Sequence, residues 1–250
     1  MRALYAIYAL FAYLVFGAAL VLAIAFLTWP AGPLVDHGPK APPALAVAID
    51  VALLGLFAAQ HTAMARKSFK RTVTRLLPVA AERSTFVLAA SLVLILLVLE
   101  WRPLPSVVWS LPGTFGDAVL VIGVGGWLLL VSATFMIDHF DLFGLKQGWL
   151  AARGRRYAYP AFQSRWLYAW VRHPIMTGFL IVFWAVPRMT VGHLLFSAAA
   201  TGYILVGVRF EERDLAEQLP GYESYRRQVG AFLPRVLRVR SGARAAPEGQ

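Results

Sequence analysis

The chain carries five histidines and no cysteine. That narrows the chemistry open to it, because thiol nucleophiles, disulfide relays, iron–sulfur clusters and thiolate zinc sites all need cysteine. Histidine, carboxylate, tyrosine, arginine or a bound cofactor must do the work. The densest candidate group is Arg172-His173-Pro174, with Gly178 four residues after the proline. Proline is tolerated in the first turn of a helix, where its missing N–H would have no intrahelical partner. Pro174 therefore predicts a helix start that leaves His173 just outside it. The unpaired N–H groups of such a start, with Arg172 and His173 beside them, suit a carboxylate or another anion. Gly178 shares a face with Pro174 and allows close approach by a neighbouring helix or a flat ligand.

Two further segments concentrate ionisable groups. Asp138-His139-Phe140-Asp141 closes an apolar run, and two carboxylates at the negative end of a helix dipole call for local cations, solvent or a cationic ligand. The stretch RFEERDLAEQLPGYESYRRQVGAFLP, 209 to 234, places Glu211, Glu212, Leu215 and Leu219 at helical spacing on an interfacial helix. Pro220 and Gly221 then interrupt it, and Tyr222 and Tyr225 share the next face. This segment reads either as a surface helix laced by salt bridges or as a negatively biased pocket for a cationic cofactor.

The elements that must position these residues are membrane helices. Of 250 residues, 59% are hydrophobic and 15% charged, a balance richer in apolar and poorer in charged residues than a soluble globule has. Apolar runs at 3–29, 45–64, 84–99 and 118–137 are each close to the roughly 20 residues that cross about 30 Å of hydrocarbon. Two shorter runs, 174–187 and 191–208, form either a thin pair of spans or a re-entrant hairpin packed inside protein.

The net charge of +11 comes from the gaps between the runs rather than from one basic face, so no nucleic-acid partner is expected. Arg66, Lys67, Lys70, Arg71, Arg75 and Arg83 fill one gap, and Lys146, Arg153, Arg155, Arg156, Arg165 and Arg172 another. The positive-inside bias places both basic loops and both termini in the cytoplasm. His61, His139 and His173 then converge on that membrane face, while His37 and His193 fall on the other. The expected fold is an all-α integral membrane protein of about six transmembrane or re-entrant helices, with a cytoplasmic cofactor site and an interfacial C-terminal helix. Residues 1–237 are read as one membrane domain and 238–250 as a disordered tail.

The order and spacing of Arg172-His173-Pro174, Gly178, Glu211-Glu212, Tyr222 and Tyr225 resemble the membrane methyltransferases related to isoprenylcysteine carboxyl methyltransferase. QHTAMAR (60–66), ERSTFVL (82–88), IDHFDLFGLKQ (137–147) and PRMTVGHLLFSAAATGYILVGVRFEERDL (187–215) look more narrowly like the branch containing methanethiol S-methyltransferase. The resemblance, over about 45–234, implies methyl transfer from S-adenosylmethionine to the sulfur of methanethiol in a bacterial inner membrane. It implies cofactor contacts at His173, Pro174, Gly178, Glu212, Tyr222 and Tyr225, with Glu211 and Arg172 adjacent. No metal is expected.

The thiol must lose a proton, and His139 and His173 are candidate bases, with Arg172 available to favour a thiolate. His61, Phe140, Phe143, Phe179 and Trp184 are expected to wall an apolar pocket for a small volatile thiol. Three rivals stay open: an NnrU-like, denitrification-associated or haem-binding membrane protein, a methyltransferase acting on another thiol or on isoprenylcysteine, and a transporter or scaffold. Of these, the transporter lacks the inverted repeats or polar midplane that a carrier should show.

Overall fold

The computed structural model describes residues 2–29, 33–66, 69, 77–158 and 164–235. Four long apolar helices come first: α1 (Arg2–Thr28), α2 (Pro43–Ala65), α3 (Val79–Glu100) and α4 (Gly113–Ile137). Short helices α5 (His139–Leu142) and α6 (Leu145–Ala152) follow, then α7 (Pro174–Trp184), the long α8 (Val191–Gln218) and α9 (Tyr222–Gln228). Two strands, β1 (Val107–Ser110) and β2 (Arg188–Thr190), pair antiparallel, with Val107 opposite Thr190 and Ser110 opposite Arg188. Prolines set several of the starts. Pro43 and Pro174 occupy the first turns of α2 and α7, while Pro78 and Pro112 stand immediately before α3 and α4.

Among the described residues, α1, α2, α3, α4 and α8 are long and apolar enough to cross a bilayer. Their outward side chains settle the solvent: Leu14, Val121 and Leu128 are 62%, 70% and 65% exposed. So large an apolar surface on every side belongs in hydrocarbon. The protein is a nearly all-α, multi-pass integral membrane protein. Lys67, Lys70, Arg71 and Arg75 of the basic gap, and the tail at 238–250, lie outside the described residues.

The closest helix packing joins α4 to α7. A Cβ on Gly178 would lie 2.7 Å from the Gly126 carbonyl oxygen and 2.9 Å from the Leu130 nitrogen, and one on Gly123 would lie 2.6 Å from the Ala185 oxygen. Position 178 thus meets 126–130 and position 185 meets 123, so the helices are antiparallel, nearly backbone to backbone. Lipid provides no hydrophobic drive between helices, and small residues that permit this approach hold them by dispersion. The end of α4, which leads through Asp138 into His139, therefore lies on the same face as the start of α7, which follows His173.

With 11 residues, α7 rises only about 16 Å, roughly half the hydrocarbon thickness. Beyond Trp184 the chain enters β2, and pairing with β1 satisfies backbone groups that lipid could not. At that far end Phe26, Trp101, Phe183 and Phe196 meet edge to face, with centroids 5.3–6.0 Å apart. Glu211 and Glu212 continue α8, which runs unbroken to Gln218. No proline or glycine intervenes between Val208 and Pro220, so each added residue extends an existing hydrogen-bond ladder.

Gly178→Ala should cost about 1–3 kcal/mol by overpacking the α4–α7 seam. Gly202→Ala in α8, where an added Cβ meets nothing within 4 Å, should be neutral or stabilise by up to about 1 kcal/mol. Thermal unfolding of both variants in detergent checks this; equal midpoints would remove the seam from the account of stability.

Candidate active site

The starts of α3 and α7 and the ends of α4 and α8 meet on one face. Chain segments without long helices tie them together. Val171 pairs with Gly230 in a parallel bridge, the Arg172 N–H donates to the Gly230 carbonyl at 2.8 Å, and the His173 N–H donates to Ala231 at 3.0 Å. Gly221, at φ +89°, takes the left-handed conformation that turns the chain from α8 into α9 and back toward this bridge.

Glu212 is the hub. One carboxylate oxygen accepts from Arg172 Nε at 2.8 Å and Nη2 at 2.6 Å, and from His173 Nε2–H at 2.9 Å. Arg172 uses Nη1 as well, donating to the carbonyls of Arg226 and Val229. The Arg172 and Glu212 side chains are 8% and 13% exposed, so this is a largely desolvated, charge-assisted network. The second nitrogen of His173 faces Glu211 at 3.8 Å.

Tyr222, buried, stacks obliquely with Tyr225 at 5.8 Å between centroids. The Tyr225 hydroxyl donates to the Tyr168 carbonyl at 2.5 Å. Burial pushes both phenols up to about 12, with Glu212 adding to it and Arg172 opposing it, so each keeps its proton near neutral pH. Pro174 is buried at the head of α7. The space beside Gly178 is filled by α4 rather than open to a flat ligand.

His139 is equally enclosed, by different partners. The Thr134 hydroxyl donates to the Val131 carbonyl at 2.6 Å, so its oxygen is left to accept from His139 Nδ1–H at 2.8 Å. That tautomer makes Nε2 an acceptor, and the Tyr13 hydroxyl donates to it at 2.8 Å. The ring also stacks on Phe135, with centroids 4.0 Å apart and planes within 1°. Burial holds this imidazole below its ordinary range, against the pull of Asp138. Both ring nitrogens are therefore engaged within the protein, by Thr134 and Tyr13.

The neighbouring carboxylates have protein partners. Asp138 caps α5 through the Asp141 N–H and pairs with Lys146, and these contacts hold it below the usual carboxylate range despite its partial burial. Asp141 accepts from the Tyr157 hydroxyl at 3.0 Å.

The expected apolar pocket does not form as one unit. Phe143 stacks on Phe16 at 3.9 Å, and Phe140 lines a groove of about 620 Å³ with Ile7, Leu10 and Trp149. Phe179 packs on Phe183. Trp184 donates to Thr201 at 2.9 Å and stands ten residues, about 15 Å, along α7 from Pro174. His61 lies among Phe57, Phe86 and Tyr203.

The residues that sequence reasoning missed are the partners. Tyr13 lies 126 positions from His139, and no local pattern announces it. Arg209, Arg213, Glu223 and Arg226 line a cleft of about 370 Å³ that includes Glu212; the segment's alternating charges leave both a salt-bridged surface helix and a cofactor pocket open.

The family described as NnrU protein matches residues 49–223. The methanethiol S-methyltransferase of Mycobacterium tuberculosis is 50% identical over 93% of this chain and 97% of its own length. Methanethiol S-methyltransferase 2 of Bradyrhizobium diazoefficiens is 45% identical over 96% of this chain and 94% of its own. Nurim of Xenopus laevis is 30% identical over 68% of this chain and 62% of its own. No solved structure matches the chain.

The enclosed His139 generates a pH dependence. Below about 6.5 an unfolded histidine takes up a proton, whereas folded His139 resists one, so the unfolded state binds more protons and stability falls as pH falls. The stability advantage of wild type over His139→Gln should be full above about pH 6.5 and shrink toward pH 5. Unfolding midpoints of the two proteins across that range measure it; a constant difference would contradict the assignment.

Proposed function

We infer that this chain, which belongs to the methanethiol S-methyltransferase family, transfers a methyl group from S-adenosylmethionine to the sulfur of methanethiol, giving dimethyl sulfide and S-adenosylhomocysteine. The observation that carries this is Glu212, held by Arg172 and His173 at the edge of the charged cleft. The donor set fits the cofactor's charged end. Arg209, Arg213 and Arg226 suit its carboxylate, while Glu212 and Glu223 suit its ammonium. Bound there, S-adenosylmethionine supplies a methyl group on a sulfonium, an electrophile with a good leaving group.

The protein's share is positioning and exclusion of water. Arg172 and His173 together fix the Glu212 carboxylate in one orientation through the same oxygen, and Tyr222 and Tyr225 remain neutral phenols close by. Arg2, Arg83, Lys146, Arg153 and Arg172 gather on this face, as the contacts of Gly154 with Arg2 and of Arg83 with the Leu142 carbonyl support. That charge bias supports a cytoplasmic site in a bacterial inner membrane. A thiol with a longer apolar chain is the second reading, favoured by the groove along Ile7, Leu10, Phe140 and Trp149. Labelled cofactor offered with thiols of increasing chain length separates the two, and wild type should prefer methanethiol.

Glu212→Gln should weaken S-adenosylmethionine binding by about 1.5–3 kcal/mol, the range for hydrogen bonds to charged groups. Glu100→Gln, in an exposed pair with Arg102 on the far face, should change it by less than about 1 kcal/mol. Calorimetric titration of variants with matched unfolding midpoints decides it. Unchanged affinity in both would remove Glu212 from the cofactor site.

A further inference from the structure

Of the three histidines on the site face, two are engaged. His139 is held by Thr134 and Tyr13, and His173 by Glu212, with Glu211 facing its other nitrogen. His61, near the end of α2, differs: among the described residues its buried Nδ1 has no hydrogen-bond partner, and neither has Oε1 of the adjacent Gln60. Buried polar atoms are nearly always paired, and an exception calls for a reason.

The surroundings of His61 are ordered. Its ring stacks on Phe57 at 5.4 Å with planes 24° apart, tilts against Phe86 at 5.0 Å and meets Tyr203 edge-on at 6.4 Å. Tyr203 is itself fixed by a hydrogen bond to Thr62 at 3.0 Å. Three rings therefore clamp an imidazole whose buried Nδ1 has no hydrogen-bond partner among the described residues. The Arg83 guanidinium sits over the opposite partner ring, 5.3 Å from the Phe86 centroid.

Depth matters as much as packing. Tyr203 precedes Glu211 and Glu212 on α8 by eight and nine residues, about 12–13 Å of helix. One helix thus carries the carboxylates at the membrane face and a wall of the His61 niche more than two turns further in. Such a niche suits a small apolar molecule with one acidic proton.

We propose that His61 is the catalytic base for the thiol, receiving the S–H proton of methanethiol in the niche between α2, α3 and α8. This rests on the functional reading above. The S–H bond breaks, the proton forms an N–H bond at the unpartnered ring nitrogen, and the electron pair stays on sulfur as a thiolate. Arg83 favours that anion electrostatically. The step is needed because a small alkyl thiol is a weaker acid than cysteine, itself about 8.5, and is almost wholly protonated near neutral pH.

Two measurements test it. In detergent-solubilised protein labelled with ¹⁵N-histidine, and with no cofactor present, adding methanethiol should move one imidazole resonance; that resonance should be absent from His61→Phe, which keeps a ring in the stack. Dimethyl sulfide, without an acidic proton, should not move it toward the imidazolium position. In turnover, His61→Phe and His61→Gln should lower kcat/KM for methanethiol by about 10²–10⁴-fold, the usual contribution of a positioned base. They should lower it far less for trifluoroethanethiol, which ionises without help, and should leave S-adenosylmethionine affinity unchanged.

The proposal is overturned if the responsive resonance survives in His61→Phe, if no histidine responds, or if both variants methylate methanethiol at the wild-type rate. A wild-type protein that methylates no thiol, yet shows the His61 response, supports the base and sinks the functional reading instead.

Discussion

Glu212 receives hydrogen bonds from Arg172 and His173 through one carboxylate oxygen, and the geometry of the site face depends on that convergence. Removing charges from water is costly, and their attraction compensates only where the donors are well aimed. Arginine meets this demand because its guanidinium is a rigid planar fork. Arg172 reaches Glu212 with two nitrogens and, with a third, the carbonyls of Arg226 in α9 and Val229 just after it. The end of α8, the approach to α7 and the chain at 229–231 are thereby fixed to one another. None of these segments is long enough to hold its place by apolar burial alone.

The bilayer imposes the second constraint. In hydrocarbon, backbone groups must be paired and helices gain little from hiding apolar surface. The α4–α7 seam answers the second demand with Gly123, Gly126 and Gly178, and the β1–β2 pair answers the first where α7 stops short. Together they carry Pro174 to the end of α4. A helix only 11 residues long can then present its N-terminus beside groups anchored elsewhere.

The histidines divide by environment rather than by type. His139 is locked as a neutral imidazole by the Thr134–Val131 bond, which dictates the tautomer. His173 orients a carboxylate. Among the described residues, His61 combines aromatic packing with a buried, unpartnered nitrogen.

Much of the fold was legible in the residues themselves, because crossing about 30 Å of hydrocarbon takes long apolar helices and prolines start them. The runs at 3–29, 45–64, 84–99 and 118–137 became α1 to α4, and Pro174 began α7 as its missing N–H required. The convergence of His61, His139 and His173 on one face followed from counting spans. What depended on tertiary structure was which groups meet. Gly178 could serve a ligand or a helix, and packing gave it to α4. Trp184 was expected to wall the thiol pocket, yet ten residues of α7, about 15 Å of rise, separate it from Pro174. Tyr13 and His139 are 126 positions apart, and only the docking of α1 beside the end of α4 joins them. Sequence determined membrane class, helix starts and residue chemistry because these are local or one-dimensional properties. The protonation state, partners and availability of each histidine are set across helices, by contacts no single segment contains.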